Sequence, residues 1–305
     1  MCMNWWKIRY NKKSAKKYGW APFWFGATQF DQFLIESIKG FQRDHDLEAD
    51  GMCGPATYRR AYTLVEKRIT KQPKSPNCLQ LKSSPVPVVR HIMCNGKETP
   101  IDWPKVKIDF IKTGCYKAVT KERTPTMIVT HWDAALSAAS CKSILEKRKI
   151  STHFVIDNDG TIVQLLDTNH IGWHAGIRAV NNVSIGIDFS NAVYEKYNKT
   201  YEKRGFGPRP IIEGWKVHGR TVKPFLGYYP VQIAAYKALL KTLCSHHGIE
   251  LECPLNEDGT LNTGVDKSAS KGKFKGIVNH YNLTKKKWDT LGLELDKITK
   301  ELRDV

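Results

Sequence analysis

The stretch KGIVNHYNLTKKKWD, residues 275–289, sets His280 at the end of a short apolar run and places Asp289 shortly after it. Short runs of apolar and β-branched residues predict buried strands. A second run of this kind, residues 127–130, ends at His131. One histidine after one strand is more often structural than functional. Two strands that each end in histidine, with a carboxylate close by in sequence, offer a set of metal donors.

Two imidazoles and one carboxylate are a donor set of catalytic zinc sites, which use three protein ligands and leave a fourth position for water. His131, His280 and Asp289 supply that set, and we predict that they bind one Zn²⁺ per chain. Zinc lowers the pKa of a coordinated water towards about 7 and polarises a carbonyl group. The predicted chemistry is therefore hydrolysis.

At this point the sequence resembles a known family, the zinc-dependent N-acetylmuramoyl-L-alanine amidases, which includes amidase-type phage endolysins and peptidoglycan recognition proteins. The resemblance runs through five segments in the family's order: IVTHWD (128–133), THFVIDNDGTIVQL (152–165), WHAG (173–176), NNVSIGIDFSN (181–191) and the stretch from His280 to Asp289. It implies an α/β fold with a mixed central sheet flanked by helices. It also implies that the substrate is the amide bond between N-acetylmuramic acid and the L-alanine of the peptidoglycan stem peptide.

The same resemblance implies roles for further residues. Asp188 stands where one branch of the family has a glutamate, and we predict that it is the general base. Lys287 stands where the family carries a lysine that stabilises the tetrahedral oxyanion. An ordinary strand-end carboxylate and a solvated basic run, Lys285 to Lys287, remain the alternatives for these two. Substrate contacts are expected from three more residues: Trp132, Trp173 and His174.

The sequence also departs from the family pattern. The second zinc histidine is usually followed by Arg-Asp, and here Tyr281 and Asn282 follow it. The metal aspartate is usually followed by proline, and here Thr290 follows it. Because all three metal ligands are present, we predict an enzyme. A non-catalytic peptidoglycan-recognition protein of the same fold is the alternative.

The segment IKGFQRDHDLEADGMCGPATYRRA, residues 38–61, resembles the three-helix peptidoglycan-binding module of many wall hydrolases. Glycine permits a tight turn between helices, and Thr57 is predicted to cap the last helix. A generic helical hairpin with an Asp-Gly turn is the alternative. The positions that carry the resemblance, and that we assign to a wall-binding module, are Phe41, Gln42, Asp50, Gly51, Gly54, Pro55 and Thr57.

These patterns predict three regions: a small all-α module at residues 1–65, a Lys, Ser and Pro-rich linker at 66–87, and the catalytic domain at 88–305. Two long segments, 194–229 and 252–274, are predicted to be loops. The regular elements predicted for the catalytic domain are a hairpin at Asn95-Gly96, a strand at 127–131, a helix at 134–148, a turn at 157–160, a strand at 184–189 and a helix at 230–247.

The chain carries 48 Lys and Arg against 30 Asp and Glu, a formal net charge of +18. Such a surface favours binding to polyanions, and a nucleic-acid-associated protein is the first interpretation that this charge suggests. The sequence contains no zinc-finger spacing, aromatic RNA-binding signature or heptads with a basic region, so we predict no specific nucleic-acid partner. Peptidoglycan, together with anionic wall or envelope polymers, is the predicted partner of a monomeric protein.

No apolar run approaches the length of a membrane span, and the basic N-terminus is not followed by the apolar segment of a signal peptide. We therefore expect synthesis in a cytoplasm and action on the cell wall after release. The eight cysteines are scattered and form no CxxC pair. Free thiols are predicted, and none of them is assigned to the metal.

Overall fold

The computed structural model describes residues 4–45, 47–58, 60–61 and 90–304. The predicted linker, 66–87, and the predicted module boundary at residue 65 lie outside the described residues. The chain divides into two compact units. The first comprises Met1–Val88 with Thr200–Gly207, and the second comprises Val89–Lys199 with Pro208–Val305.

The first unit begins with a helix at Trp5–Tyr18, to which the sequence analysis gave no role. A 3₁₀ turn at Pro22–Phe25 and a helix at Gln32–Arg43 follow, and residues 55–58 and 60–61 are also helical. The Asp31 carboxylate caps the second helix by accepting a hydrogen bond from the Leu34 N–H at 3.0 Å. One apolar cluster joins these elements: Ala15, Trp20, Phe25, Ala27, Leu34, Ile38, Cys53, Tyr58 and Ala61.

The loop between the second and third helical segments is organised by the buried Gln42 side chain. Its Nε2 donates to Asp50 Oδ1 at 2.8 Å and to Thr57 Oγ1 at 3.0 Å, while its Oε1 accepts from Gly51 N at 2.8 Å. Gly51 has a φ of +75°, and a Cβ there would lie 2.7 Å from Ile35 Cγ2, so this turn requires glycine. Thr57 lies inside the helical residues and accepts from Gln42, so the predicted capping role was wrong.

The second unit contains fourteen strands within the described residues. In chain order they are β1 Arg90–Cys94, β2 Lys97–Ile101, β3 Val106–Ile108, β4 Tyr116–Lys117, β5 Met127–Trp132, β6 Phe154–Ile156, β7 Ile162–Gln164, β8 Ile171–Gly172, β9 Ser184–Phe189, β10 Ile211–Ile212, β11 Lys216–Val217, β12 Arg220–Thr221, β13 Phe225–Leu226 and β14 Gly276–Asn279. Its α-helices are Ala138–Arg148, Arg178–Val183, Pro230–His247, Lys267–Ser270 and Leu295–Arg303, with 3₁₀ turns at Glu195–Tyr197 and His280–Asn282. A further helix, Asn198–Lys203, has residues in both units.

Six strands form the central sheet in the order β14-β5-β9-β6-β7-β3. Only the β6–β7 pair is antiparallel, so the sheet is mixed, as predicted. On one face, the helix Ala138–Arg148 packs with Val155 in a shared apolar cluster. On the other face, the Tyr236 hydroxyl of the helix Pro230–His247 hydrogen-bonds the Thr130 hydroxyl of β5 at 2.6 Å. The predicted α/β class with flanking helices is confirmed.

Several predicted elements agree closely with the structure. The strand 184–189 and the helix 230–247 have the predicted bounds, and Gly248 ends that helix at a φ of +66°. Asn95 and Gly96 form the two-residue turn between β1 and β2, with φ values of 51° and 72°. The turn at 157–160 joins the antiparallel strands β6 and β7.

Two predictions on element type and extent were wrong. The helix predicted from residue 134 begins at Ala138, because Ser137 is its N-cap and Ala134 has a φ of 51° that no helix accommodates. The segment 194–229 is not a plain loop, because it contains a helix at Asn198–Lys203 and the strands β10 to β13, paired as β10–β13 and β11–β12. Paired strands of two residues are too short to show a hydrophobic period, so they cannot be recognised from sequence.

No helix in the described part of the chain is long and apolar enough to cross a membrane. Six cysteines lie in the described ranges, and all are buried free thiols: Cys53, Cys94, Cys115, Cys141, Cys244 and Cys253. The prediction of free thiols therefore holds for these six.

Candidate active site

The side chains of His131, His280 and Asp289 meet in a buried triangle. His131 Nδ1 lies 2.9 Å from His280 Nδ1 and 3.2 Å from Asp289 Oδ2, and His280 Nδ1 lies 2.9 Å from the same carboxylate oxygen. A tetrahedral zinc ion with bonds of about 2.0 to 2.2 Å holds its ligand atoms about 3.3 Å apart. The three donor atoms are therefore spaced as a zinc ion requires.

The parallel pairing of two strands creates this meeting point. Asn279 of β14 is in register with Thr130 of β5, so that the next residues, His280 and His131, stand at the same level at the end of β14. The Tyr281 N–H donates to the Asp289 carbonyl at 2.8 Å and holds Asp289 beside the end of β14. Long-range strand pairing, followed by one local loop, thus delivers all three side chains to one edge.

The residues that depart from the family pattern build a buried polar cluster under this loop. The Thr290 hydroxyl donates to Asn279 Oδ1, and Asn279 Nδ2 donates to the Tyr281 hydroxyl at 2.8 Å. Asn282 Nδ2 donates to the carbonyls of Asn262 and Gly264 at 2.8 and 2.9 Å. These substitutions leave the metal ligands in place and tie their loop to the segment 252–274.

Hydrogen bonds on the far side of each ring fix the tautomers of the two histidines. His280 Nε2 lies 3.3 Å from the Ala175 carbonyl, which can only accept, so this nitrogen carries the proton. The Ser184 hydroxyl donates to the Val180 carbonyl at 2.7 Å and therefore accepts from His174 Nε2 at 3.3 Å. His174 Nδ1 is then the acceptor for His131 Nε2–H, at 3.0 Å.

In this arrangement both Nδ1 atoms of His131 and His280 present lone pairs towards the Asp289 carboxylate. Three electron-rich atoms facing one another in a buried site repel, and a cation placed between them removes the repulsion. The chemistry of the donor set therefore fits a divalent metal ion.

Two glycines make room for the buried rings of His174 and His153 near the predicted metal ligands. A Cβ at Gly186 on β9 would lie 2.7 Å from His174 Cγ and 2.8 Å from Thr152 Oγ1. A Cβ at Gly172 would lie 2.9 Å from His153 Cε1. The sequence analysis assigned His174 only to substrate contact and gave Gly186 no role. The signal was available, since Gly186 interrupts an otherwise apolar buried strand.

His153 and Arg123 form a separate buried network below these residues. His153 Nδ1 accepts from the Gly186 N–H at 3.0 Å, and its Nε2 donates to the His170 carbonyl at 3.1 Å. Burial, followed by the charge of Arg123, holds the pKa of His153 well below its usual value. A neutral imidazole with both nitrogens engaged is a structural residue.

Burial and neighbouring charges set the electrostatics of the predicted site residues. Burial, followed by the proximity of His280, lowers the pKa of His131 to about 4, so this ring is neutral at pH 7. Burial alone would raise the pKa of Asp289, but the adjacent His131 and His280 outweigh it and hold that pKa below its usual value. Burial, then the charges of Asp133 and Asp289, raises the pKa of Asp188 well above its usual value.

A cavity of about 400 Å³ opens over the triangle. Six predicted residues besides Trp132 line it: His131, His174, Asp188, His280, Lys287 and Asp289. Asp188 is in direct register with His131 on the neighbouring strand, and both residues therefore share one face of the sheet. Trp132 lines the cavity too, whereas Trp173, which is 38% exposed, is not among the described lining residues.

Two aromatic residues at the cavity were missed by the sequence analysis. Tyr194 and Trp288 line it, and they are 54% and 38% exposed. Trp288 packs edge-on against Trp132 with ring centroids 5.5 Å apart. His218, which the sequence analysis gave no role, hydrogen-bonds the Lys287 carbonyl through Nε2 at 2.9 Å and so supports the loop that carries Lys287. Trp288 could have been noticed from its place between Lys287 and Asp289.

Comparisons with known proteins agree with this geometry. Residues 121–291, more than half of the chain, match the family described as N-acetylmuramoyl-L-alanine amidase. Residues 18–60 match a family of peptidoglycan binding domains. A comparison with curated protein sequences gives no match.

Solved structures with similar folds have low sequence identity to this chain. The catalytic domain of XlyA is 22% identical, with 65% of this chain and 99% of that chain covered and a TM-score of 0.40. A mutant endolysin from Bacillus subtilis is 20% identical, with 65% and 98% covered and a TM-score of 0.39. The amidase LysC from Clostridium intestinale URNW is 17% identical, with 66% and 99% covered and a TM-score of 0.39.

The assignment rests on the family match, which spans His131, Asp188, His280 and Asp289. With its peptidoglycan binding domain, the protein is a peptidoglycan hydrolase. The chain belongs to the N-acetylmuramoyl-L-alanine amidase family.

Proposed function

We propose that His131, His280 and Asp289 hold one Zn²⁺ and that the chain uses it to hydrolyse the amide bond between N-acetylmuramic acid and L-alanine. The observation that carries this proposal is the convergence of Nδ1, Nδ1 and Oδ2 within 3.2 Å of one another at a cavity wall. When bound, zinc supplies a Lewis acid for the scissile carbonyl and lowers the pKa of a water molecule.

In this proposal Asp188 is the general base. It faces the cavity beside His131, where it can take a proton from the attacking water and return it to the leaving nitrogen of L-alanine. A carboxylate whose pKa is raised above its usual value is a stronger base than an ordinary aspartate. The shorter side chain of aspartate, relative to glutamate, is compatible with this role because the strand register brings its backbone next to the ligand strand.

Lys287 is proposed to stabilise the negative charge that develops on the carbonyl oxygen. Its side chain is exposed at the cavity, and its charge acts on both His131 and Asp188. A cation at that position gains strength when substrate displaces water from the cavity. His174 is proposed to orient His131 as well as to border the substrate, and Trp132 to form an apolar wall for it.

We further propose that the protein acts as a monomeric lysin, made in a host cytoplasm and active on the wall after release. The peptidoglycan binding domain supports this proposal because a tethered binding module raises the effective concentration of the enzyme at the wall. The net charge of +18 supports additional attraction to anionic wall polymers.

Mass spectrometry of muropeptides tests the reaction. Digestion of purified peptidoglycan should release intact stem peptides with a free L-alanine amino group and leave glycan strands that retain the lactyl carboxyl group. A chelator should abolish cleavage, and added zinc should restore it. Intact muropeptides after prolonged digestion would favour the non-catalytic recognition protein, and cleavage at another bond would refute the assigned substrate.

Lys287→Ala, compared with Lys285→Ala, tests the oxyanion role. Both variants remove one exposed lysine from the same run, but only Lys287 lines the cavity over the zinc ligands. We expect Lys287→Ala to lower kcat by about 10²-fold, in the range for loss of one oxyanion donor, with unchanged zinc content. Equal rates for the two variants would show that Lys287 is an ordinary solvated lysine of the basic run and does not stabilise the oxyanion.

A further inference from the structure

A second group of potential metal ligands lies in the same unit, formed by Cys94, His246 and His247. One ligand atom from each of the three residues lies within 4.8 Å of the other two. None of them belongs to the His131, His280 and Asp289 set or lines its cavity. The two histidines are adjacent in sequence, and their ring centroids lie 4.6 Å from each other.

Two rigid elements bring these residues together. Cys94 ends β1 at the two-residue turn of the β1–β2 hairpin, and the histidines occupy the last turn of the helix Pro230–His247. The hairpin is fixed by Gln164, whose side chain accepts from the Met93 N–H and donates to the Met93 carbonyl, each at 2.7 Å. The Gly96 N–H donates to Asp167 Oδ2 at 2.9 Å. The thiol therefore has a defined position rather than one on a mobile turn.

Two threonine hydroxyl groups connect the thiol to the two rings. Thr99 Oγ1 lies 3.3 Å from His246 Nδ1, and Thr168 Oγ1 lies 3.0 Å from His247 Nε2. Both hydroxyl groups also hydrogen-bond the Cys94 thiol. Hydroxyl groups placed in this way orient the ligands around a metal ion, as outer-shell residues do in zinc proteins.

The electrostatics of the cluster suit a cation. Burial raises the pKa of Cys94 to about 11, so the group is a neutral thiol unless a positive charge is present. Burial, then the proximity of His246, lowers the pKa of His247 to about 4, which leaves its imidazole neutral and able to donate a lone pair. The carboxyl end of the helix and the Asp167 carboxylate both add negative potential.

We propose that Cys94, His246 and His247 form a second zinc site, structural in function, that fastens the β1–β2 hairpin to the end of the helix Pro230–His247. Binding replaces the thiol proton of Cys94 with the metal and releases one proton to solvent, while the two imidazole rings each donate a nitrogen lone pair. A thiolate with two imidazoles is a set that zinc accepts, and water completes four ligands. The exposed His246 provides the path by which the ion enters.

Cobalt substitution separates this site from the catalytic one. A thiolate bound to Co²⁺ gives an intense near-ultraviolet charge-transfer band, whereas the His131, His280 and Asp289 set contains no sulfur. The full-length protein loaded with Co²⁺ should show the band, and elemental analysis of the zinc form should give two ions per chain. His280→Ala should keep the band with one ion, and Cys94→Ser should lose the band and keep the other ion.

Two further variants protect the test against loss of folding. His246→Ala changes an exposed side chain and should weaken zinc binding at this site by more than about 100-fold, beyond the usual effect of an outer-shell partner. Cys244→Ser changes another buried thiol on the same helix and should leave band and stoichiometry unchanged. One zinc per chain in the unaltered protein and no cobalt–thiolate band would overturn the proposal, whatever the enzyme's activity.

The stapling role has its own measurement. Zinc should raise the melting temperature of His280→Ala, which retains only the second site, because an ion that binds only the folded state stabilises it. The double variant Cys94→Ser/His280→Ala should show no such rise. An equal rise in both variants would show that the ion binds elsewhere.

Discussion

Buried polar side chains converge in both units of this chain, around Gln42 in the first and around His131, His280 and Asp289 in the second. Every polar atom of the Gln42 amide meets a complementary partner, with Gly51 N–H donating to it and Asp50 and Thr57 accepting from it. In the second cluster the inward atoms are acceptors that face acceptors. A buried polar cluster whose hydrogen bonds are all satisfied by protein groups specifies a fold. A buried cluster of acceptors that only a cation can satisfy indicates a site for chemistry.

The largest effect that this comparison predicts is that of His280→Ala. The variant should lose zinc from the catalytic set and all measurable amidase activity, because both the Lewis acid and the activated water depend on the ion. Zinc content and muropeptide release should be measured on the same preparation. His91→Ala, which alters a half-exposed histidine outside the set, is the control. Retention of activity by His280→Ala would show that the cluster of His131, His280 and Asp289 does not hold a catalytic zinc ion.

Asp188→Asn should show a smaller effect of a different kind. The amide has nearly the shape of the carboxyl group but cannot accept the proton, so kcat should fall by about 10² to 10⁴-fold while zinc stays bound. The ratio of zinc to protein distinguishes this outcome from loss of the metal. Unchanged kcat would leave the zinc ligands standing and return Asp188 to the role of an ordinary strand-end carboxylate.

His174→Ala sharpens the comparison further, because His174 satisfies the outer nitrogen of a metal ligand. Loss of an outer-shell partner typically lowers metal affinity by about 10 to 100-fold. We expect that decrease in a competition titration with a chromophoric chelator, together with recovered activity at high zinc concentration. His170→Ala is a control of the same residue type away from the cavity. An unchanged zinc affinity would leave His174 as a substrate residue alone.

The smallest predicted effect concerns the Gln42 cluster, whose hydrogen bonds are satisfied within the protein. Gln42→Met keeps the length of the side chain but removes its hydrogen bonds, and burial of unsatisfied groups should cost about 1 to 3 kcal/mol of stability in the first unit. Calorimetry of the full-length chain, with Gln32→Met as a partly exposed control on the same helix, measures the loss. Cleavage of a soluble muropeptide should be unchanged. A change in catalytic zinc content would contradict the proposed contrast.

The sequence analysis predicted those strands and helices whose hydrophobic periodicity agrees with the residues at their ends. From those elements it also predicted the residues that meet in the buried triangle. The strand 184–189 and the helix 230–247 are apolar and bounded by clear breakers, and the ends of β5 and β14 bring His131 and His280 together. The triangle followed because parallel strands bring like ends together.

Other features depend on contacts that no local pattern records. The strands β10 to β13 are two residues each, too short for a period to appear. The helix Trp5–Tyr18 is rich in lysine, and the residues that anchor it are polar. Asn11 donates to the Gly51 carbonyl, and Ser14 donates to the Cys53 carbonyl. The support of His131 by His174 required knowledge of which tautomer Ser184 imposes.

The pairing of β5 with β14 has a consequence for biosynthesis. His131 and His280 are separated by 149 residues, and Asp289 is 158 residues beyond the first histidine. During translation, His131 leaves the ribosome long before either partner exists, and a nascent chain that stops before residue 289 lacks a ligand of the proposed zinc set. If this set is the catalytic centre, incomplete translation products cannot hydrolyse peptidoglycan, and activity begins only when the edge strand of the sheet has been synthesised and has paired.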